Sequence, residues 1–206
     1  MARRLIVGIT GATGFTFGRN FVRYLLEEKS GVIEPHVILS EASKLVCKSE
    51  LDVKLEYVGD FMSLFSRESK GEKDPDANFT VYANSNIGAS IASGSFLTEG
   101  MVVLPCSMKT VSDIAYSRSE NLITRAADVT LKESRKLILC VRETPLHKGH
   151  LENMLRCANM GAIIMPLMVS LYSGITTLED LSDHFTGRIL DQFGVHNNLT
   201  RRWKGE

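Results

Sequence analysis

Short aliphatic runs, each followed by a longer stretch with helical spacing, constrain this chain more than any other feature. The runs are RLIVGIT at 4–10, HVILS at 36–40, MVVLPCS at 101–107, KLILCVRE at 136–143 and AIIMP at 162–166. Near-continuous apolar runs of this length suit strands buried on both faces. Helical periodicity falls near 14–28, 41–49, 110–116, 121–134, 148–159 and 178–193. Strand and helix in alternation imply crossover connections, hence a mostly parallel sheet with helices on both sides. The expected class is α/β, a Rossmann-like or flavodoxin-like three-layer sandwich. One domain is expected over 1–206, with a loop excursion at about 59–86 whose charged middle is rich in Ser, Asn and Asp. Within it FTVYA reads as a short strand, and the middle as a mobile loop.

Charge narrows the function. Lys and Arg total 24, Asp and Glu total 24, and the formal net charge is zero. No overall basic field is available for nucleic acid or a membrane surface, which leaves a small molecule as the favoured partner. Cys47, Cys106, Cys140 and Cys157 show no CxxC spacing, and three of them sit in apolar runs. They read as reduced core residues of a cytoplasmic protein. The opening MARRLIVGITGATG breaks into glycines too early for a signal peptide, and no stretch has the length of a membrane span.

In a doubly wound sheet, ligands collect outside the carboxyl ends of the strands. The candidate strands end on Thr10 and Gly11, Ser40, Cys106 and Ser107, Arg142 and Glu143, and Pro166. Arg142 and Glu143 close a run built for burial, so they must pair, reach water or face a polar ligand. An ion pair holding a loop is as good a reading as a site. The first turn, with Gly8, Gly11 and Gly14, is a place where backbone N–H groups can approach a phosphate. It is neither a Walker loop nor G-x-G-x-x-G. TGATGF suggests a short-chain dehydrogenase, but no tyrosine has Lys four residues on, and an acid ends the second strand only in displaced form, as Glu41. Arg125 and Lys132, two helical turns apart, project from one face. They either flank an anion or form a solvated face balanced by Asp128 and Glu133. His147 and His150 lack a third ligand for metal, and HLENML reads as a helix start. His36, His184 and His196 read as surface or interface histidines. Met154, Met160, Met165 and Met168 read as packing residues, and Trp203 as docking on a neighbouring surface.

The segments GITGATG, IASGSF, GMVVLPCSMKT, NLITRAADVTLKE, KLILCVRETPL, HLENMLRCANMGAIIMP and RILDQFG, in this order, resemble the UbiX-type flavin prenyltransferases. That family was formerly described as aromatic acid decarboxylases, or as one component of such a decarboxylase. The resemblance covers nearly the whole chain. It implies a homo-oligomer, typically a dodecamer, that binds FMN between protomers without metal. The implied reaction joins the dimethylallyl group of dimethylallyl monophosphate to reduced FMN at N5 and C6. The product, prenylated FMN, goes to a UbiD-type decarboxylase. By the same resemblance Gly11, Ala12, Thr13, Ser40, Ser107, Met108, Lys109, Thr110 and Arg142 contact the flavin. Glu143 is the acid–base carboxylate and Glu50 a second carboxylate of the site, with Thr13, Arg125 and Lys132 also in the catalytic set. Ala92, Ser93, Arg125, Lys132, Tyr172 and Arg188 cradle the substrate phosphate.

One departure stands out. Members of the family resemble one another in a P-P-x-P-x-F-Y-x-x-P stretch around the phosphate-binding tyrosine, whereas this chain has MPLMVSLYSGITT. Fewer prolines and Gly174 predict a looser loop there. Two other readings stay open. A flavin-dependent cysteine decarboxylase lacks its P-x-M-N-x-x-M-W signature here. A non-catalytic FMN-binding subunit is disfavoured by the retained charged residues.

Overall fold

The structure is a computed structural model that describes residues 3–27, 33–66, 79–200 and 202. Strands β1 (Arg3–Ile9), β2 (Ile33–Leu39), β3 (Thr80–Ala83), β4 (Gly100–Cys106), β5 (Lys136–Val141) and β6 (Ile163–Ile164) form one sheet in the order β3-β2-β1-β4-β5-β6. Every strand pairing is parallel. The order reverses between β1 and β4, the topological switch point at which open α/β sheets bind ligands. The excursion's predicted strand is present as β3, on the edge of the sheet. Its earlier part is not loop: a 3-10 turn at Val58–Met62 runs into α3 (Ser63–Ser66), and the wholly buried Phe61 packs edge-on against Phe15 and Phe65. The charged middle, 67–78, lies outside the described residues, as does Trp203.

The helices divide between the two faces because strand side chains alternate. Leu5, Val7 and Ile9 of β1 join α1 (Phe15–Glu27), α2 (Glu41–Leu51) and α7 (Leu178–Gln192) in one core. Ile6 of β1, with Met101 and Val103 of β4, joins α4 (Met108–Ala115), α5 (Leu122–Lys132) and α6 (Lys148–Asn159) in the other. The predicted three-layer sandwich is therefore present. Caps account for the helix starts: Ser40, Ser107, Asn121, His147 and Thr177 each accept a backbone N–H of the first turn. All four cysteines are buried thiols. Burial pushes Cys47 and Cys157 up to about 11, and Cys106 and Cys140 well above their usual value.

His36 corrects the reading of a surface histidine. It is 4% exposed at the centre of β2, stacked on Tyr82, edge-on to Phe96, with Nδ1 2.9 Å from Tyr82 Oη and Nε2 3.4 Å from Glu34 Oε1. Its charge-bearing neighbours Glu34 and Arg4 are 3.5 Å from each other, and Arg4 lies over Phe96. The methionines divide as well: Met154 and Met165 pack against the cores, while Met168 is exposed.

Candidate active site

The turns after β1 and β4 are stitched together across the switch point. Thr10 Oγ1 donates to Pro105 O at 2.8 Å and accepts from Ser107 N at 2.8 Å. Gly11 lies so close to α2 that a Cβ would collide with that of Ala42, and Gly14 has φ +103, a left-handed geometry that favours glycine. The donors of this turn are engaged from within the chain. Glu50, near the end of α2, accepts from Thr13 Oγ1 at 2.6 Å, Gly14 N at 2.6 Å and Thr16 N at 3.3 Å. The carboxylate thus sits at the start of α1, where the helix dipole favours an anion. A phosphate reading of these particular amides does not hold, because Glu50 already occupies them. Ala12, between them, is buried.

Along the same edge, Ser40 Oγ accepts from Ser43 N at 3.0 Å and so fixes the start of α2. Ser107 Oγ accepts from Thr110 N and lies 3.1 Å from Thr110 Oγ1, fixing the start of α4. Met108 is buried beneath, and Lys109 turns outward to Asp113 at 2.7 Å. Glu41, exposed at the start of α2, is paired with Lys44 of its own helix at 3.0 Å.

β5 is buried through Val141, and the chain then surfaces at Arg142 and Glu143. Arg142 N donates to Cys106 O at 3.2 Å, which tethers it beside the β4 turn, and Glu143 Oε1 accepts from Thr144 N at 3.0 Å. Among the described residues the two side chains do not pair, so the loop-holding ion pair is not what this structure contains. Two carboxylates, Glu50 and Glu143, and the guanidinium of Arg142 consequently stand at one sheet edge with two serine-capped helix starts.

The remaining candidates are not gathered there. Arg125 is exposed one turn into α5 and has no ion-pair partner among the described residues. Lys132, about 10 Å farther along the helix, contacts Glu133 at 2.5 Å. Ala92 and Ser93 close a 3-10 turn at Ser90–Ala92 that packs on α5, with Ser93 Oγ 2.9 Å from Ser95 Oγ. Arg188, exposed on α7 and 3.6 Å from Asp191, belongs to the opposite face of the sheet. The backbone of Tyr172 lies in a 3-10 turn at Leu171–Ser173, ahead of α7, and its side chain is outside the described residues. A single chain therefore holds two separated groups of phosphate-cradle candidates.

Sequence reading missed the residues that fix these segments. Asn84 O and Oδ1 accept from Leu122 N and Ile123 N, seating the start of α5. Arg135 clamps the segment after Ser93. Neither has a local signature, since each side chain acts across 37 residues or more. His147 and His150 lie with ring centroids 3.6 Å apart and planes tilted by 33°, and His147 Nδ1 accepts from Gly149 N, as a helix start requires. Among the described residues no three His, Cys, Asp or Glu side chains are grouped to hold a metal, and no helix is long and apolar enough to cross a membrane.

A family model described as Flavoprotein matches residues 1–190. The flavin prenyltransferase UbiX of Escherichia coli (strain K12) is 42% identical over 205 residues, covering 98% of this chain and 99% of that protein. The crystal structure of AnUbiX in complex with FMN and dimethylallyl pyrophosphate is 35% identical, with a TM-score of 0.85 over 100% of both chains. A dodecameric FMN-dependent UbiX-like decarboxylase from Escherichia coli O157:H7 is 39% identical, with a TM-score of 0.82 over 98% of this chain and 100% of that one.

Proposed function

The chain belongs to the UbiX-type flavin prenyltransferases of the flavoprotein family, and from that premise we propose how its residues divide the work. It is an FMN-dependent transferase that joins a dimethylallyl group from a dimethylallyl phosphate to N5 and C6 of reduced FMN. The prenylated FMN passes to a UbiD-type decarboxylase. Four buried thiols suit the reducing cytoplasm.

The residues present fit the flavin mononucleotide. The serine-capped starts of α2 and α4 and the exposed Arg142 put partial and full positive charge at the switch point, as an anionic ligand requires. Gly11, Ala12, Thr13, Ser40, Ser107, Met108, Thr110 and Arg142 would hold it, and Lys109 stands farther out, on Asp113. Reduced FMN, when bound, supplies the electron-rich ring atoms that accept the allyl group. Thr13 Oγ1 and Glu50, 2.6 Å apart, form a proton path from the first turn into α2. Glu143 protonates the departing phosphate, which matters most for a monophosphate, the poorer leaving group. Arg125, Lys132, Ala92 and Ser93 bind the phosphate from one chain, and Tyr172 and Arg188 complete the cradle from another. The split across the sheet supports assembly between copies, and a dodecamer like that of the relative would bring the halves together. Closely placed cations then stabilise the charge that develops as the carbon–oxygen bond breaks.

The observation that carries this reading is that Glu50, bound to the turn after β1, and Arg142 and Glu143, at the end of β5 with Arg142 N on Cys106 O, stand along the carboxyl edge of the sheet beside the switch point. Anaerobic incubation with reduced FMN and either dimethylallyl monophosphate or diphosphate, followed by mass spectrometry of the released flavin, tests it. A mass gain of one dimethylallyl unit is expected, and Glu143→Gln should lose most of it with the monophosphate. Tightly bound FMN left unmodified by both donors would instead mark a non-catalytic FMN-binding subunit.

A further inference from the structure

Arg135 joins two segments whose functional residues have to act on one anion. Its backbone is rooted at the end of α5: Arg135 N donates to Thr130 O at 2.9 Å, after Ser134 takes a left-handed φ of 54. From there the guanidinium reaches back to the segment that follows Ser93. Nη2 donates to Gly94 O at 2.7 Å and Nη1 to Phe96 O at 3.0 Å, with Thr98 Oγ1 at 3.5 Å. Lys132 and Glu133, three and two residues before Arg135, lie against the same glycine. A Cβ on Gly94 would collide with Glu133 Oε1 and stand 2.8 Å from Lys132 Nζ. One short turn is therefore touched by the guanidinium through its carbonyls and by the ends of the Glu133 and Lys132 side chains across Gly94.

We propose that Arg135 is a positioning residue for prenyl transfer: by clamping the Gly94 and Phe96 carbonyls it sets Ser93 and Lys132 at the separation one phosphate needs. The inference rests on reading Ser93 and Lys132 as phosphate ligands. A guanidinium suits the task because its planar fork bridges two acceptors at fixed spacing, whereas an ammonium reaches them only as a point charge. Arg135 itself touches neither flavin nor donor in this scheme. The other end of the segment has its own tether, Ser90 Oγ at 3.4 Å from Tyr82 Oη, so the clamp governs the Ser93–Phe96 side alone.

The test uses the full-length oligomer with Arg135→Lys, Arg135→Gln and Gly94→Ala, assayed anaerobically with reduced FMN and dimethylallyl monophosphate. Losing hydrogen bonds from a charged donor should raise the KM for the donor about tenfold in Arg135→Gln and less in Arg135→Lys. The inhibition constant for inorganic phosphate should rise in parallel, with kcat, FMN affinity and the thermal midpoint close to wild type. Gly94→Ala should give the same pattern in weaker form, because its Cβ meets the flexible ends of the Glu133 and Lys132 side chains with Arg135 intact. Unchanged donor KM and phosphate inhibition would overturn the inference. So would an equal loss of FMN affinity, donor affinity and thermal midpoint, the mark of a merely structural arginine. Should Arg135→Gln fail to fold, the Arg135→Lys and Gly94→Ala pair decides. Wild-type enzyme that transfers no prenyl group would overturn the reading of the site as well, whereas active wild type with unaffected variants overturns only the role of Arg135.

Discussion

Lys132 is held by its own neighbour. Glu133 Oε1 is 2.5 Å from the ammonium, and that contact, helped by Arg135, lowers the Glu133 carboxyl below its usual range. A phosphate arriving at Lys132 has to compete with this carboxylate. Exposed pairs are weak, so Glu133→Gln should lower the donor KM by up to about fivefold with kcat unchanged, as steady-state kinetics would show. Glu50 behaves differently, because three donors converge on it. Glu50→Ala leaves those donors without an acceptor and should cost about 1–3 kcal/mol, measurable by denaturant unfolding, together with prenyl transfer. Thr13→Ser keeps the hydroxyl and should keep both. At this scale the sequence was legible where a residue broke its own local pattern. Arg142 and Glu143 announced themselves by ending an apolar run, and they do emerge exposed at the carboxyl edge of the sheet. Asn84 and Arg135 were illegible, and Thr10 legible only as a strand end, because their partners are backbone atoms far away in the chain, and a carbonyl has no sequence identity to match.

Elements were easier to read than their terminal contacts. The helix expected at 148–159 runs Lys148–Asn159, and that at 178–193 runs Leu178–Gln192, because the apolar periodicity and the caps agree. The turn at Val58–Met62 with α3 was read as the start of a loop, since so short an element has no period to detect; Phe61 shows its role only through Phe15. The segment leading into α7 is held by Asp180, whose Oδ2 accepts from Thr176 N, Thr176 Oγ1 and Thr177 N. These bonds hold its carboxyl down at about 2 against an ordinary 3.8. The stabilisation is accordingly complete above pH 3.8 and vanishes as pH falls through about 2. Asp180→Asn should unfold at a lower temperature than wild type near neutrality, and the difference should close toward pH 2 in a calorimetric series. β2 contributes a dependence of the same sign in a higher pH window. Burial lowers the His36 pKa below 6.5, against the pull of Glu34 and with the push of Arg4. Below 6.5 the unfolded chain binds a proton that the folded chain refuses, so stability falls with pH from there down to the folded value. His36→Phe should flatten that slope, provided Tyr82 repacks.

As a whole, the molecule is a three-layer sandwich whose proposed phosphate-cradle residues fall in two places. The two groups of cradle residues lie on opposite faces, and α6 buries only Cys157 while Leu151 and Leu155 remain 52% and 61% exposed. An apolar helix face of that kind in a family with a dodecameric relative suits contact between copies. Leu155→Glu should shift the protein to smaller species in analytical ultracentrifugation and reduce prenyl transfer with them, since within one chain the two groups lie apart. The four cysteines bear on how such contacts can be traced. Each is buried, and burial raises all four thiol pKa values, so little thiolate forms at neutral pH and native chains present no ready nucleophile to an alkylating reagent. A cysteine introduced on the outer face of α6 would then be the one accessible thiol per chain, so that a spin label, fluorophore or cross-linker could be attached at a chosen position without first stripping the native thiols.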